Sequence, residues 1–533
     1  MRPEDNSEFR FGSAAFADQH ELAAAAMFRQ GPDSLFLGFH NGKPIFYDGM
    51  GGLLLIAGAR SGKLRDVLAY NLCGGFCAQS MVILDVKGEL GAISRDLTPQ
   101  RKFAAYWNPA SLHGLPQNRI NPVDYLRADS PSLVSDMKIF WENLIPHSGS
   151  PSALFFEDSA RDKGEGLSLA VTDRDGVMTL PALYEVINLL LGGGDRWLEF
   201  AFLMSESRFP SVRRIEEEIA ISRSDSSGGF RGIIGELLKS VACLSDPLLM
   251  ASVSPPFDFS FAQLTASDQT WHVYLMPPVE SVESWKSVLK MHFVAGMIYK
   301  LRSPQAPRQT WMLDEGPILG VMSALERLFS VGAGAGLRPW LIAQSREQLN
   351  RIGKDAANII TASAAVRQFF NARDIDTARL VSDMIGPETL GFDDTQAQTR
   401  ARYARQRAIS SLLDGGDPLQ AGMDYAHHAQ LETMPSYQQR SLRNPSEILS
   451  MPPDRQLIWV DGVAKPIWGE RAPYYEQRFM AGRYHPNPYH PPADKVRVKT
   501  RLGHEWRRVM REPVPQEFAH YPQYADGYWS VVR

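Results

Sequence analysis

The sequence predicts an α/β fold built on a parallel sheet, with an all-helical segment inserted between two parts of that sheet. Continuous apolar runs alternate with helical patterns, which is typical of parallel strands covered on both faces. Over residues 128–253 the helical periodicity continues without strand-like runs, and the alternation resumes afterwards. The length of 533 residues leaves room for several domains, since a domain typically has about 150 residues.

Residues 1–50 predict an N-terminal adaptor segment that contains a helix and a hairpin. The pair Asn41-Gly42 separates two short apolar runs, and Asn-Gly is typical of a two-residue hairpin turn. The expected helix and the two expected strands cover residues 20–29, 34–39 and 44–47.

The alternating pattern divides the rest of the chain into four parts. Residues 51–127 and 254–470 are expected to form the two parts of the α/β domain, interrupted by an all-α domain over residues 128–253. Residues 471–533 predict a basic tail rich in Pro and Tyr, without core-forming pattern. The expected strands cover residues 53–57, 80–85, 270–275, 309–314, 339–343 and 364–370, and the expected helices of the insertion cover residues 133–144, 181–191 and 230–244.

Two further stretches lie in the second part of the α/β domain. Residues 393–440 are polar and rich in Gln and Arg, which predicts an exposed or mobile excursion. Residues 456–460 are apolar and precede Asp461-Gly462, which predicts a hairpin at the edge of the sheet.

Composition and charge restrict the class of protein and its location. Lys and Arg number 56 and Asp and Glu number 60, so the net charge of −4 provides no whole-chain basic field for a nucleic acid. Three cysteines in so long a chain indicate a reducing compartment. The polar start lacks the apolar core of a signal peptide, and no run approaches the roughly 20 apolar residues of a membrane span. We therefore predict a cytoplasmic location.

The strongest local signal is a Gly-containing loop between an apolar strand and a helix. The loop and the residue after it read Ala57-Gly58-Ala59-Arg60-Ser61-Gly62-Lys63-Leu64. Small residues let backbone N–H groups turn toward phosphates, and a Lys at the helix start adds positive charge where the helix dipole also favours an anion. Residues 58–64 are therefore predicted to bind a nucleotide, with an ordinary Gly-rich turn as the alternative. Ala57 and Leu64 depart from the usual motif, in which a Gly and a hydroxyl side chain stand at these positions.

An acidic pair and a glutamine end two later apolar strands. Asp314 and Glu315 follow one of them, a pattern in which Asp holds the metal shell and Glu orients the attacking water. Gln344 follows the other, where it can sense the terminal phosphate. Each alone is also typical of a solvated strand end. Together with the loop, they predict a P-loop ATPase that uses ATP and Mg²⁺.

These residues, with further motifs in the same order, resemble the type IV secretion coupling proteins, the ring-forming ATPases of bacterial conjugation and of related DNA or effector export. The similarity runs from about residue 11 to residue 488. Besides the phosphate loop, it rests on the motifs Phe11-Gly-Ser-Ala, Leu84-Asp-Val-Lys-Gly-Glu-Leu90, Asn121-Pro-Val-Asp124, Phe155-Phe-Glu-Asp-Ser-Ala-Arg161, Leu313-Asp-Glu-Gly-Pro-Ile-Leu-Gly320, Leu341-Ile-Ala-Gln-Ser345 and Asn371-Ala-Arg-Asp-Ile-Asp-Thr-Ala378.

The resemblance implies a RecA-like motor domain that carries an all-α domain and assembles as a homo-hexamer. It further implies a pump for single-stranded DNA, or for a relaxase or effector protein, that works with the inner-membrane components of a secretion system. By the same resemblance, Lys63 would contact the phosphates, Asp314 the magnesium ion and Glu315 the hydrolytic water, with Gln344 as sensor. Lys87 and Glu89 would line the same mouth or the ring pore, or form an exposed charged turn.

The chain departs from the family pattern in three places. Most members begin with a pair of transmembrane helices, and this sequence begins almost directly at the soluble segment, so attachment to the inner face of the membrane is expected through a partner. Leu64 removes a hydroxyl ligand, which predicts slow or absent hydrolysis. Residues 331–336 lack the trans-acting arginine of many ring ATPases, and Arg338 and Arg373 are the remaining candidates.

Local clusters are the candidates for contact with DNA, and each has a solvated surface as its alternative. Phosphate contacts multiply around a ring, so a few cationic side chains per subunit suffice. The candidates are the tail cluster Lys495, Arg497, Lys499, Arg501, Arg507, Arg508 and Arg511, the group Arg400, Arg402, Arg405 and Arg407, and the stacking candidates Tyr474, Tyr475, Tyr484 and Tyr489.

The predicted function is that of an ATP-driven coupling protein that recruits and pumps substrate into a type IV secretion channel. A first alternative is a docking platform that binds ATP with negligible turnover. A second alternative is a soluble DNA translocase or helicase unrelated to secretion.

Overall fold

The order of strands and helices along the chain confirms the predicted α/β class. The computed structural model describes residues 12–95, 103–223, 228–266, 268–415, 417–433, 436–480, 483–489, 495–501, 503–520 and 527–532. Its strands are β1 (Leu35–His40), β2 (Lys43–Tyr47), β3 (Leu53–Ile56), β4 (Ser80–Leu84), β5 (Phe103–Trp107), β6 (Trp271–Leu275), β7 (Gln309–Leu313), β8 (Leu337–Ala343), β9 (Val366–Phe369), β10 (Pro387–Phe392), β11 (Ser436–Ser441), β12 (Arg455–Val460), β13 (Ile467–Glu470), β14 (Lys495–Thr500), β15 (Gly503–Pro513) and β16 (Tyr528–Val532).

Helices cover the sheet and fill the insertion. They are α1 (Gln19–Ala24), α2 (Ala69–Cys73), α3 (Glu89–Ser94), α4 (Leu133–Leu144), α5 (Pro151–Asp175), α6 (Leu180–Gly192), α7 (Asp195–Ser205), α8 (Pro210–Arg223), α9 (Gly229–Val241), α10 (Pro247–Ser252), α11 (Val282–Arg302), α12 (Ser323–Val331), α13 (Ala356–Ser363), α14 (Ile375–Ile385), α15 (Thr395–Leu413), α16 (Pro418–Thr433) and α17 (Pro445–Leu449).

Eleven of the described strands form one sheet, in the order β2-β1-β13-β12-β9-β3-β8-β7-β4-β6-β5. The seven strands from β9 to β5 are parallel, which confirms the predicted parallel sheet; six of them were predicted, and β5 was not. The four strands on the other side are antiparallel. The hairpin predicted for residues 456–460 is present as β12 and β13, but its predicted position at the sheet edge is wrong, because β1 pairs with β13 on the far side.

Both faces of the parallel strands are buried, which explains their continuous apolar sequences. In β3, for example, Leu54 and Ile56 pack in one core and Leu53 and Leu55 in another on the opposite face. The first core extends into the helical insertion, and the second contains the β1–β2 hairpin and part of the C-terminal segment. The sheet is thus a fixed platform between two packed layers.

The N-terminal hairpin forms where Asn41-Gly42 predicts it. These two residues have φ angles of +50° and +72°, and positive φ at both central positions is the backbone of a type I′ turn. The predicted helix is shorter than expected and ends at Ala24. It ends there because Ala26 turns with a φ of +57° and Met27 packs into the second core.

The insertion contains the three predicted helices as α4, α6 and α9. Its longest helix, α5, has 25 residues and was not predicted as a helix. A close contact fixes α5 against α4: a methyl group on Gly164 would lie 2.4 Å from the ring of Trp141. The close approach of the two helices explains why a glycine stands at this position of α5.

The described residues between 387 and 441 form an arm of two strands and two helices, where the sequence predicts an excursion over 393–440. In this arm the paired strands β10 and β11 carry the helices α15 and α16. The predicted exposure is confirmed for most described side chains of the two helices. The arm is nevertheless regular, because Glu432 on α16 binds Arg402 (3.1 Å) and Arg405 (2.7 Å) on α15.

The C-terminal segment also differs from its prediction. Tyr474, Met480 and Tyr484 are buried in the second core, so residues 471–533 contribute to the core although no core-forming pattern predicts it. Farther along, β14, β15 and β16 form a small antiparallel sheet. Single aromatic residues among prolines provide this burial, and such spacing has no strand or helix period.

Candidate functional site

The carboxyl ends of five parallel strands bring the predicted site residues to one edge of the sheet. In sheet order, β9, β3, β8, β7 and β4 lead to Arg373, the phosphate loop, Gln344, Asp314-Glu315 and Asp85. Parallel strands end on the same side, so residues far apart in sequence meet there. The cleft at this edge is lined by Lys63, Leu64, Asp85, Val86, Lys87, Glu89, Asp314 and Glu315.

The phosphate loop makes a tight turn after β3. Ser61 donates its amide hydrogen to the Gly58 carbonyl oxygen at 3.1 Å, and Arg60 has a φ of +58°. Gly62 has a φ of +90°, and a Cβ there would lie 2.7 Å from a carboxylate oxygen of Asp66. This position therefore requires glycine. Ala59 and Arg60 are exposed at the tip of the loop.

A π-helical turn follows the loop, where the sequence predicts a helix from Lys63. The turn covers Leu64–Leu68 and continues into α2. Turns of this kind are rare in proteins, and those that occur often lie at functional sites. Together with Gly62, the turn places Lys63 at the mouth of the cleft.

Lys63 meets the acidic pair in this cleft. Its Nζ lies 2.7 Å from Asp314 Oδ1 and 3.4 Å from Glu315 Oε1. The three side chains are only 15, 18 and 29% exposed. Burial alone would lower the pKa of the Lys63 amine, but the two carboxylates raise it above its ordinary value. The amine is therefore a positive charge held by two carboxylates. Glu315, one of the two, lies 252 positions away in sequence.

Glu315 and Gln344 lie side by side at the ends of β7 and β8. Glu315 has a φ of +59°, which for a residue with a side chain costs roughly 1–3 kcal/mol and is a mark of functional sites. Gln344 donates its side-chain N–H to Glu315 Oε1 at 3.3 Å. A displacement of the Glu315 carboxylate can therefore move Gln344, at the end of β8, through this hydrogen bond.

Asp85 is a buried carboxyl of the cleft to which sequence reasoning assigned no role. It is 2% exposed and accepts a hydrogen bond from the Gly91 amide at 2.8 Å. Burial raises its pKa to about 7, and the nearby charge of Asp314 acts in the same direction. Its position at a strand end, in the motif after β4, was the available signal.

Arg471, just after β13, contacts the phosphate loop and the helical turn that follows it. Its Nη1 lies 2.6 Å from the Ser61 carbonyl oxygen and 3.3 Å from Asp66 Oδ2, with both side chains fully enclosed. Its guanidinium also stacks at 4.0 Å on the ring of Phe370. No sequence signal connects these residues, because the sheet order alone brings them together.

The groups at this edge fit a nucleotide with Mg²⁺. The loop has the small residues and the cation that a phosphate needs, and Asp314 offers the oxygen ligand that Mg²⁺ prefers. Among the described residues no group of three His, Cys, Asp or Glu side chains is arranged to hold a metal ion. A magnesium ion here would therefore depend on phosphate oxygens and waters, as this ion usually does.

Several predicted candidates lie elsewhere. Arg338 is fully buried at the amino end of β8, away from the cleft, and donates to the Gly49 and Asp33 carbonyl oxygens. It therefore cannot reach a neighbouring subunit's nucleotide. Tyr474 and Tyr484 are buried, so neither can stack on a base.

The remaining candidates for DNA contact differ in how exposed their side chains are. Tyr489 is exposed and Tyr475 is partly buried. Arg402 and Arg405 are engaged within the arm, whereas Arg400 and Arg407 are exposed. The exposed members of the tail cluster are Lys495, Arg501, Arg507 and Arg508, while the side chains of Arg497, Lys499 and Arg511 lie outside the described part of the chain, as does Phe11.

In the described part of the chain, no helix combines the length and the apolar composition needed to cross a bilayer.

Comparisons of the sequence with known proteins point to one family. The profile described as type IV secretory system conjugative DNA transfer matches residues 6–412. The conjugal transfer protein TraG of Escherichia coli is 22% identical over 426 residues, which are 72% of this chain and 66% of TraG. Protein VirD4 of Agrobacterium fabrum is 27% identical over 376 residues, which are 69% of this chain and 53% of VirD4. The matches thus span about half to two thirds of these relatives.

Solved structures show the same fold. The bacterial conjugative coupling protein TrwBdeltaN70 with sulphate superposes with a TM-score of 0.59 at 15% identity, over 87% of this chain and 94% of that chain. TrwB in complex with ADP and Mg²⁺ has a TM-score of 0.57 at 15% identity, over 86 and 93% of the two chains. The RecA-like α/β fold with a helical insertion is therefore confirmed. The chain belongs to the type IV secretory system conjugative DNA transfer family.

Proposed function

We propose that this chain is an ATP-driven coupling protein, which recruits substrate and moves it into a type IV secretion or conjugation channel. The observation that carries the proposal is the meeting of Lys63 with Asp314 and Glu315 next to a Gly-containing loop. The family membership supports a role in conjugative transfer. TrwB, which has the same fold, binds ADP and Mg²⁺, and this supports the binding of a nucleotide with Mg²⁺ by this chain.

In this proposal the phosphate loop with Lys63 binds the phosphates of ATP, and Glu315 acts on the attacking water. Lys63 leaves its ion pair with Asp314 and binds the phosphates, and the loop amides of residues 58–64 surround them. Glu315 orients the attacking water, and Gln344 registers the change at Glu315 through their hydrogen bond. Mg²⁺, held by Asp314, would neutralise charge on the phosphate oxygens when bound.

The active form is a homo-hexamer whose subunits change their relative positions as nucleotide is consumed. The substrate is single-stranded DNA with its relaxase, or an effector protein, and the inner-membrane components of the secretion system tether the ring at the membrane. Residues 128–253 act as a separate all-α domain, between the two parts of the motor domain over 51–127 and 254–470, with residues 1–50 as adaptor and 471–533 as C-terminal segment.

A second candidate function is a docking platform that binds ATP and hydrolyses it negligibly. The specific observation in its favour is Leu64, which lines the cleft where a hydroxyl ligand of Mg²⁺ would otherwise stand. The absence of an arginine from residues 331–336 favours it as well. Both candidates require nucleotide binding and differ only in turnover.

An ATPase assay with and without single-stranded DNA separates the two candidates. Wild type, Lys63→Ala and the control Lys239→Ala, whose side chain is 77% exposed on α9, are compared. Turnover that Lys63→Ala abolishes and the control retains supports the motor. Binding of ATP without release of phosphate supports the platform, and wild type that binds no ATP contradicts both.

A further inference from the structure

Arg373 lies against the phosphate loop of its own chain. A methyl group on Gly58 would lie 3.1 Å from Cδ and 3.3 Å from Nε of Arg373. The arginine stem therefore crosses the loop at the point where glycine leaves room for it. Arg373 is exposed, so its guanidinium extends beyond this contact toward solvent.

The backbone on both sides of Arg373 is fixed. Before it, Phe370 donates its amide hydrogen to the Ile56 carbonyl oxygen at 2.9 Å, which ties the end of β9 to the strand that leads into the loop. After it, Asp374 caps α14 by accepting the Thr377 amide at 2.7 Å. The side chain is thus presented from an anchored turn, directly before a capped helix.

No described residue explains the charge of Arg373. The carboxylate next to it, Asp374, is used as the helix cap, and among the described residues Arg373 has no ion pair. A guanidinium held beside a phosphate loop without an acidic partner fits an anion, because its planar fork matches two phosphate oxygens.

We propose that Arg373 contacts the terminal phosphate of the ATP bound by its own subunit. This inference rests on the proposed function, since it needs a nucleotide in the loop. It assigns to the chain a phosphate-binding arginine in cis, in addition to Lys63. Residues 331–336, where many ring ATPases carry a trans-acting arginine, contain none.

ADPNP has the terminal phosphate that ADP lacks. Comparing the two nucleotides therefore separates a phosphate contact of Arg373 from simple packing on the loop. Arg373→Met keeps an unbranched stem over Gly58 and removes the charge, whereas Arg373→Lys keeps a charge without the fork. Calorimetric titrations with ADP and with the non-hydrolysable analogue ADPNP, both with Mg²⁺, measure the two affinities. The control is Arg379→Met, since Arg379 is exposed on α14 and pairs with Asp376.

We expect Arg373→Met to weaken ADPNP binding about 10-fold or more, the usual effect of losing a charge-assisted hydrogen bond, and to leave ADP binding within about 2-fold. Arg373→Lys should lie between wild type and Arg373→Met, and Arg379→Met should behave as wild type. Equal losses for both nucleotides, or no loss for either, overturn the inference.

A mixing experiment tests whether the arginine acts in cis. Lys63→Ala, which is expected to stay smaller by itself, is mixed with Arg373→Met, which retains Lys63. Sedimentation first verifies that both variants are in one particle, and turnover with single-stranded DNA is then measured. If Arg373 served a neighbouring subunit, mixed assemblies would regain activity, which would overturn the assignment. We expect no gain above the two separate variants.

The two proposals fail in different ways. If wild type binds neither nucleotide, or Lys63→Ala binds as wild type does, the nucleotide site itself is wrong and the inference falls with it. If Lys63→Ala loses binding and Arg373→Met does not, only the role of Arg373 is wrong.

Discussion

Leu64 is the single residue that most directly limits the expected rate of hydrolysis. It lines the cleft next to Lys63 and has no oxygen to offer. Replacement by Ser supplies a hydroxyl, so Leu64→Ser should increase the rate of phosphate release about 2–10-fold, the effect of roughly one hydrogen bond. The matched control is Leu64→Ala, which removes the same apolar volume without an oxygen. Equal rates for Ser and Ala would show that the hydroxyl has no role at this position.

Glu315 is expected to act on water and not on nucleotide binding. Glu315→Gln keeps the size of the side chain and a partner for Gln344. We expect ATP affinity to stay within about 3-fold of wild type while turnover falls about 100-fold or more, which is typical of losing a general base. Affinity is measured by titration and turnover by phosphate release. Undiminished turnover in this variant would assign the water-orienting role to another residue.

Asp85 gives the cleft a dependence on pH. Its folded-state pKa of about 7 lies above the ordinary value of 3.8, so the folded chain holds this proton more tightly than the unfolded chain. The resulting stabilisation is complete below pH 3.8 and is lost as the pH rises toward 7. Relative to Asp85→Asn, wild type should therefore lose about 2 kcal/mol between pH 5 and pH 8.

Chemical denaturation without nucleotide, at the two pH values, measures this difference. Asp461→Asn, at an exposed position, is the control. A gap between wild type and Asp85→Asn that is the same at both pH values would contradict the raised pKa.

The residues of the site differ in how far the sequence could predict them. The loop, Asp314-Glu315 and Gln344 were predictable because each ends an apolar strand, and strand ends of a parallel sheet share an edge. Arg471 and Asp66 were not, because nothing in either neighbourhood indicates the other. Arg338 precedes the predicted strand 339–343, at the end away from the site, so it was a poor candidate. Its burial against the Gly49 and Asp33 carbonyl oxygens has no signal in the sequence.

At the scale of elements, the buried pair of Arg471 and Asp66 joins the segment after β13 to the start of the phosphate-loop helix. Arg65 also pairs with Asp66, at 2.6 Å, so removing Arg471 leaves that carboxylate one partner. It also leaves the Ser61 carbonyl oxygen without its donor, and an unsatisfied buried acceptor typically costs about 1–3 kcal/mol. Arg471→Met should therefore lower the free energy of unfolding by about 2 kcal/mol, measured in urea. Arg455→Met, at a half-buried surface pair with Glu470, is the control and should change it by less than about 1 kcal/mol.

The arm is an element that the fold can dispense with. Phe392 and Ser436 face each other at the outer end of the β10–β11 pair, so a short Gly-rich turn can join these positions in place of residues 393–435. We expect this deletion to leave the thermal midpoint within about 3 °C of wild type and basal ATPase activity unchanged. A large fall in either would show that the arm supports the body of the molecule.

Elements were predictable where burial imposes a period on the sequence. Six of the seven parallel strands were predicted with bounds close to those observed, because their apolar residues lie on both faces. The seventh, β5, was missed, and its first residue is exposed. The arm helices were missed because few of their side chains are buried, and pairing such as that of Arg402 with Glu432 leaves no apolar stripe. The C-terminal burial of Tyr474 and Met480 was missed because irregular backbone carries it.

At the scale of the whole molecule, the proposed ring predicts that nucleotide and assembly are coupled. Sedimentation with ADPNP, Mg²⁺ and single-stranded DNA should show six copies in one particle for wild type. Lys63→Ala should remain smaller under the same conditions, because the bound nucleotide stabilises only the form that binds it. A wild-type particle that stays monomeric at every nucleotide and DNA concentration would contradict the ring.

All proposed roles in the cleft require that Lys63 and Asp314 serve one nucleotide. A crystal structure of the chain with ADPNP and Mg²⁺ tests this directly. We predict the triphosphate in the loop of residues 58–64, with Lys63 turned from Asp314 to the phosphates and Mg²⁺ beside Asp314. An analogue bound elsewhere, with the 2.7 Å pair of Lys63 and Asp314 intact, would contradict the claim.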